Sequence, residues 1–114
     1  MVNPRRGAPG RGDVIWIQLT PQAGREQAGR RPALVVSPAS YNRKTGLLLA
    51  CPITSQIKGY PFEVVLPQGK GPHGAVLADQ VKSLDWRARN AVIAGSAPRA
   101  AVDETILKIS ALLN

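Results

Sequence analysis

Short apolar runs separated by polar, glycine- and proline-containing stretches recur through most of the chain, and the pattern changes to a helical period near its C-terminus. Six stretches have the composition of strands, the fifth holding one or two of them: residues 14–19, 34–36, 47–53, 62–66, 75–84 and 92–94. Residues 20–31 form a long loop between the first two, and residues 42–46 and 67–74 form turns. Several short strands at close spacing predict a small, closed β-barrel.

The last segment has helical spacing. From about Pro98, apolar side chains recur at Val102, Ile106, Ile109 and Leu113, with Leu112 beside them. Acidic residues come early in this segment and Lys108 later, which is the order that a helix dipole favours. We therefore expect a mainly β domain with a C-terminal α-helix.

The chain has the length and composition of one domain. It holds 114 residues, 44% of them hydrophobic, which is enough for a single core. Residues 1–11 are rich in proline, glycine and arginine and have little to bury, so they predict a flexible basic arm. Residues 12–114 are the predicted domain.

Charge indicates the class of partner. The chain carries 15 basic and 7 acidic residues, a net charge of +8, which favours a polyanion such as a nucleic acid. One cysteine and one histidine exclude a disulfide within the chain and a structural zinc site. No stretch resembles a signal peptide or a membrane span, so we expect a cytoplasmic protein with no membrane partner.

Two polar segments are candidates for chemistry. The first, residues 24–32, places Glu26 and Gln27 close to Arg30 and Arg31, between glycines that let a ligand approach the backbone. Its alternative is a solvated loop with a weak surface ion pair. The second follows a buried strand, and its hydroxyl, amide and ammonium groups suit phosphate oxygens; it holds Thr54, Ser55, Gln56 and Lys58. Its alternative is an ordinary polar strand exit.

A third pair, Asp79 and Gln80, interrupts an apolar stretch. Their carboxylate and amide edges can read bases, and a structural hydrogen-bonding role is equally open. The chain has no nucleotide-binding glycine motif, and its seven acids are scattered, which disfavours a two-metal nuclease. We therefore expect no metal and no cofactor. Cleavage of RNA through its own 2′-OH needs only a base, a cation and a proton donor.

Ordered blocks of the sequence resemble one family. The blocks are GDVIW at 12–16, EQAG at 26–29, RPALVVSP at 31–38, PIT at 52–54, KGYPFEVVL at 58–66, ADQVKS at 78–83 and WRAR at 86–89. Together they are similar to the MazF toxins of bacterial toxin–antitoxin modules, across residues 12–114. The resemblance implies a small SH3-like β-barrel with a C-terminal helix, a homodimer and a MazE-like antitoxin partner.

The resemblance also implies an activity and its residues. The family members are sequence-specific, metal-independent endoribonucleases that cut single-stranded RNA to 2′,3′-cyclic phosphate and 5′-OH ends. Carried over by position, the catalytic residues are Arg31, Thr54 and Glu26, with Arg31 stabilising charge on the phosphate, Thr54 binding a non-bridging oxygen and Glu26 acting as base. The predicted RNA contacts are Gln27, Arg30, Ser55, Gln56, Lys58, Asp79 and Gln80.

Departures from the family pattern concern recognition more than reaction. Ser55 stands where a second threonine is common, Arg30 where histidine can occur, and the turn at residues 67–74 is individual to this chain. Two other functions remain open. The same fold hosts toxins that poison DNA gyrase without cutting RNA, and a non-catalytic RNA-binding module would have the same basic surface.

Overall fold

The fold was examined in a computed structural model that describes residues 7–19, 29–69 and 71–114. The described elements, in chain order, are β1 (Asp13–Gln18), β2 (Arg30–Val35), α1 (Ala39–Thr45), β3 (Leu47–Thr54), β4 (Glu63–Val65), β5 (Ala75–Leu77), a 3₁₀ turn (Ala78–Gln80), β6 (Lys82–Asp85), β7 (Val92–Ser96) and α2 (Arg99–Leu113). The predicted mainly β fold with a C-terminal helix is confirmed. Within these residues, no helix is long and apolar enough to cross a bilayer.

The strands form one antiparallel sheet of seven strands in the described residues. Its order is β4-β5-β3-β2-β1-β7, and β6 pairs with β3 beside this path. β3 has three neighbours because its first half pairs with β6 and its end pairs with β5. The predicted closed barrel is not observed, since the end strands β4 and β7 do not pair in the part of the chain described here. β4 and β5, at one end of this order, are only three residues long.

Side chains alternate between the two faces of this sheet, which produces two apolar clusters. One cluster includes Ile15 and Ile17 of β1 and Leu48 of β3, with Trp86 packed against them. The other includes Val14 and Leu34, and α2 covers it through Ala101 and Val102. The fold thus has apolar side chains on both faces, and helix α2 covers part of one.

Two predicted element boundaries were wrong. β2 begins at Arg30, not at Leu34, because Arg30 and Arg31 pair with Gln18 and Ile17 of β1. The predicted turn at residues 42–46 is the second half of helix α1. That helix is short and has no apolar periodicity; long-range hydrogen bonds of the buried Asn42 stabilise it.

The ends of the chain also differ from the expectation. Residues 1–6 of the predicted arm lie outside the described residues, but Ala8 is buried in the core. Asn42 donates to the carbonyl of Pro9, and the Arg11 guanidinium donates to the Val36 carbonyl. On α2, Val102 is buried as predicted, whereas Leu112 and Leu113 are exposed, because the last turn has no neighbour among the described residues. The domain therefore begins near residue 8.

Candidate functional site

A groove opens on the sheet face that α2 partly covers. Its volume is about 770 Å³. Apolar side chains of β1, β2 and β3 form its floor, and strand ends, a loop and β7 form its walls. The lining residues are Val14, Trp16, Arg30, Arg31, Pro32, Ile53, Ser55, Gly71, Pro72, His73, Ala94, Gly95 and Ser96.

The register of the sheet explains how distant residues meet at this groove. β2 and β3 pair through Ala33 and Pro52. Continued by two residues, the same register aligns Arg31 with Thr54, and one further step aligns Arg30 with Ser55. Two sequence segments about twenty positions apart are thereby brought to the same end of the β2–β3 pair.

The two arginines give the groove its charge. Arg30 and Arg31 both line it, both are exposed, and the Arg30 guanidinium donates to the carbonyl of Asn90 at 2.8 Å. Both side chains bring a positive charge to the lining of the groove. A guanidinium offers several donors in a fixed plane, which suits the oxygens of a phosphate. The groove is therefore suited to an anionic ligand.

Thr54 lies beneath the rim of the groove. It is the last residue of β3 and only 8% exposed, and its hydroxyl oxygen accepts a hydrogen bond from the backbone amide of Gln56 at 3.1 Å. Having accepted one bond, the hydroxyl still has its own proton to donate. Thr54 is not among the lining residues, so its neighbours Ile53 and Ser55 form the visible wall.

The loop after Thr54 carries two predicted contacts, Gln56 and Lys58, both exposed and outside the groove lining. The buried carboxylate of Glu63 fixes this loop: it accepts from the amides of Lys58 at 3.1 and 3.2 Å and of Gly59 at 2.9 Å. From α2, the Lys108 ammonium donates to the carbonyls of Pro61 and Glu63. Residues 55–61 are therefore held at their base while their side chains face solvent.

The remaining predicted residues lie elsewhere. Asp79 and Gln80 sit on the 3₁₀ turn and do not line the groove. Burial, with a smaller contribution from the charge of Asp79, raises the pKa of the Cys51 thiol to about 12, so this thiol is neutral and unreactive. Glu26 and Gln27 lie outside the described residues. Among the residues that are described, no group of three or more His, Cys, Asp or Glu is placed to hold a metal ion.

Sequence reasoning missed three residues of this region. Trp16 was read only as a strand residue, yet it is 44% exposed and forms part of the groove floor. His73, read as an exposed turn residue, is exposed but lines the groove. The sequence places Glu63 in a strand but does not indicate that its carboxylate binds the amides of Lys58 and Gly59. The alternation of β1, which puts Trp16 opposite in face to Ile15 and Ile17, was the one pattern that indicated an aromatic on an open face.

Comparison with known proteins gives this groove its context. Residues 10–113 match the sequence family described as the PemK-like, MazF-like toxins of type II toxin–antitoxin systems. The endoribonuclease toxin MazF of Escherichia coli K12 is 56% identical over 91 residues, which cover 80% of this chain and 81% of that protein. A crystal structure of MazF from Deinococcus radiodurans matches with a TM-score of 0.89 at 55% identity, covering 93% of this chain and 96% of that one.

A second structure from the same organism, titled as a MazE–MazF crystal structure, matches with a TM-score of 0.82 at 48% identity over 94% of this chain and 96% of that chain. The similarity extends over nearly the whole described fold and includes the β2 and β3 segments that meet at the groove. This chain belongs to the PemK-like, MazF-like toxins of type II toxin–antitoxin systems.

Proposed function

We propose that this protein is the toxin of a type II toxin–antitoxin module and a sequence-specific endoribonuclease that cuts single-stranded RNA. The observation that carries the proposal is the groove lined by Arg30, Arg31 and Ser55, at the end of strands β2 and β3, which pair through Ala33 and Pro52. The activity named for the Escherichia coli relative supports it. The products are fragments with 2′,3′-cyclic phosphate and 5′-OH ends, and their formation arrests translation and growth.

The reaction uses the nucleophile that RNA itself supplies. The 2′-OH attacks the adjacent phosphorus, and a base takes the proton of the 2′-OH. The bond from phosphorus to the 5′-oxygen breaks, and a proton donor protonates that oxygen to give the 5′-OH end. We assign the base to Glu26, in keeping with the family resemblance. No metal ion is needed in this scheme, because the cation at the phosphate is the guanidinium of Arg31.

Arg31 has two tasks in this scheme. Its planar donors stabilise the charge that develops on the phosphate oxygens, and one of its N–H groups lies toward the leaving oxygen. The Thr54 hydroxyl donates a hydrogen bond to a non-bridging phosphate oxygen. Its own oxygen already accepts a hydrogen bond from the amide of Gln56. Both groups stand on paired strands, so the sheet fixes their separation before RNA binds.

The other predicted contacts extend the RNA path. Arg30 and Ser55 lie in the groove, and Gln56 and Lys58 stand on the loop that leaves it. We assign Gln27, Asp79 and Gln80 to the same path on the family resemblance. Phosphate contacts by Arg30 and Lys58 position the strand, and the amide and carboxylate groups read bases.

Partners follow from charge and from exposed apolar surface. We propose a cognate MazE-like antitoxin whose acidic segment covers the groove, which fits the net charge of +8 and the MazE–MazF structures of Deinococcus radiodurans. We also propose a homodimer. Trp16 and Val92 are paired across β1 and β7 and both are well exposed, so they offer an apolar surface to a second copy.

Three finer assignments complete the proposal. Residues from about 8 to 114 act as the toxin domain, because Ala8, Pro9 and Arg11 contact the rest of the fold. The bent seven-stranded sheet corresponds to an SH3-like barrel left open between β4 and β7, a reading supported by the way β3 is shared among β2, β5 and β6. The site of action is the cytoplasm, where the RNA substrate is.

One assay tests the activity. The purified protein is incubated with a long single-stranded RNA in excess EDTA, and the fragment ends are mapped. We expect discrete cuts within one short motif, with 2′,3′-cyclic phosphate and 5′-OH ends. Intact RNA from folded, dimeric protein would contradict the proposal. Inhibition of gyrase supercoiling would then assign the protein to the gyrase poisons, and RNA binding without cleavage to the non-catalytic modules.

A further inference from the structure

The connection between β4 and β5 forms one wall of the groove, and its base is fixed. Val65 and Ala75 are paired across the two strands, and the amide of Leu66 donates to the carbonyl of Gly74 at 2.8 Å. Gly74 has φ +108°, and a Cβ at this position would lie 2.3 Å from the carbonyl oxygen of Thr54. The end of this connection is therefore pressed against the backbone of the proposed catalytic threonine.

His73 immediately precedes that glycine. Its other neighbour, Pro72, also has a fixed position: its Cγ lies 3.9 Å from where a Cβ of Gly95 would stand on β7. His73 is exposed and lines the groove together with Arg30, Arg31 and Ser55. His73 thus lies between two residues that contact neighbouring strands, Pro72 near β7 and Gly74 near Thr54, and lines the same groove as the two arginines.

An imidazole at this place has the chemistry to hold a nucleotide. Its flat ring stacks on an unpaired base, and its two nitrogens donate to or accept from a base edge or a phosphate. The groove around it supplies cationic charge from the arginines and an aromatic floor from Trp16. This combination of stacking surface and basic groups is typical of single-strand RNA sites.

We propose that His73 is an RNA-contacting residue that holds the nucleotide beside the scissile phosphate and helps to select its base. The inference rests on the proposed function and deepens it, because it names a recognition residue in the same groove. It also gives the turn at residues 67–74 a role in specificity. His73 acts on binding, while Arg31 and Thr54 act on the phosphate.

The test compares two substitutions in the same turn. His73→Ala removes the ring, and Gln68→Ala is the matched control, because Gln68 is exposed, polar and in the same turn but lines a separate, smaller cavity with Pro67 and Pro98. Binding is measured with an oligonucleotide that contains the mapped cut site and a 2′-deoxy sugar at the cut nucleotide. We expect a Kd about tenfold higher for His73→Ala and one within about twofold of the unsubstituted protein for Gln68→Ala.

Kinetics and motif mapping separate binding from chemistry. For His73→Ala we expect KM to rise by about the same factor, kcat to stay within about twofold, and the base preference to relax at one position of the motif. His73→Gln keeps a hydrogen-bond donor and should restore part of the affinity. A loss confined to kcat with an altered pH profile would overturn the assignment in favour of proton transfer.

The failure of this inference can be told apart from the failure of the proposed function. If the unsubstituted protein cuts RNA and His73→Ala matches it in Kd, KM and motif, the assignment of His73 is wrong and the nuclease stands. If the unsubstituted protein leaves RNA intact, the nuclease is wrong, and the Kd for that uncut single-stranded RNA decides the role of His73. A tenfold weaker Kd supports the contact, and an unchanged Kd overturns it.

Discussion

The same strands form both faces of the sheet, but one face is buried in the core and the other carries the groove. On the core face, Ile15, Ile17 and Leu48 are fully buried and Trp86 closes the cluster. On the groove face, α2 covers Val14 and Leu34, and the apolar floor then continues to the more exposed Trp16 and Pro32. The groove is the part of the second face that the helix does not reach.

This difference teaches how a small domain can separate stability from function. A strand sends alternate side chains to opposite faces, so β1 supplies the core with Ile15 and Ile17 and the groove with Val14 and Trp16. The two sets share a backbone but not a contact surface. Substitutions on the core face should therefore change unfolding, and substitutions at the groove should change RNA cleavage.

The largest effect is expected at Arg31. Arg31→Ala removes the cation proposed for the phosphate, so kcat should fall by about 10²- to 10³-fold. Because the guanidinium is exposed, the free energy of unfolding should change by less than about 0.5 kcal/mol. Single-turnover cleavage and urea unfolding measure the two quantities. Arg31→Lys is the matched control and should keep partial activity, since it retains charge without the planar donors. Substantial cutting by Arg31→Ala would refute its role.

A core-face substitution should show the reverse pattern. Leu48 is fully buried, so Leu48→Ala should lower the free energy of unfolding by about 2–5 kcal/mol through lost burial and a cavity. Leu49 is the matched control, since it is the same side chain on the same strand, faces the other way and is 40% exposed. Leu49→Ala should cost less than about 1 kcal/mol. Equal losses in the two variants would contradict the assignment of faces.

The covered part of the groove face should respond to alkaline pH through Cys51. Burial raises the pKa of this thiol from 9.0 to about 12, so between these values the folded protein keeps a proton that the unfolded chain releases. Stability from this group is complete below pH 9.0 and is lost as the pH rises toward 12. By pH 10.5 the loss is about 2 kcal/mol. The free energy of unfolding, measured from pH 8 to 11, should fall more steeply for the unsubstituted protein than for Cys51→Ala. Parallel curves would contradict this account.

The smallest expected effect concerns the loop that leaves the groove. Glu63→Gln weakens the acceptor for the amides of Lys58 and Gly59, so KM for RNA should rise several-fold and the free energy of unfolding should fall by about 1–2 kcal/mol. Asp103→Asn is the control, because Asp103 forms an exposed ion pair with Arg99, away from this loop, and its loss should cost under about 1 kcal/mol. An unchanged KM in Glu63→Gln would show that this loop binds no RNA.

The sequence was informative where local pattern decides structure. Alternation located β1 and β3 to within one residue, and the helical period located α2. Helix α1 could not be predicted because its support is long-range: the Asn42 side chain donates to the carbonyl of Pro9, and its own backbone carbonyl accepts from the indole N–H of Trp86. Local spacing likewise cannot tell that the end of the predicted loop pairs with β1, which moved Arg30 and Arg31 into a strand.

The site was predictable to the extent that the family blocks named its residues. Arg31 and Thr54 came from resemblance, and the β2–β3 register then explains why such distant positions belong together. His73 and Glu63 were missed because their roles depend on where a turn and a loop lie against other strands. Such placement depends on tertiary contacts, which composition and periodicity do not encode.

The contacts of Gly74 with Leu66 and with Thr54 have a consequence for changing the RNA sequence that this toxin recognises. Since the amide of Leu66 and the backbone of Thr54 hold the connection at its base, segments of other lengths and compositions can be exchanged between residues 66 and 74 without altering the strands. Each exchange would present a different side chain to the same phosphate-binding pair. Libraries of variants in this turn should therefore change the RNA sequence that the protein recognises, while the cleavage reaction stays the same.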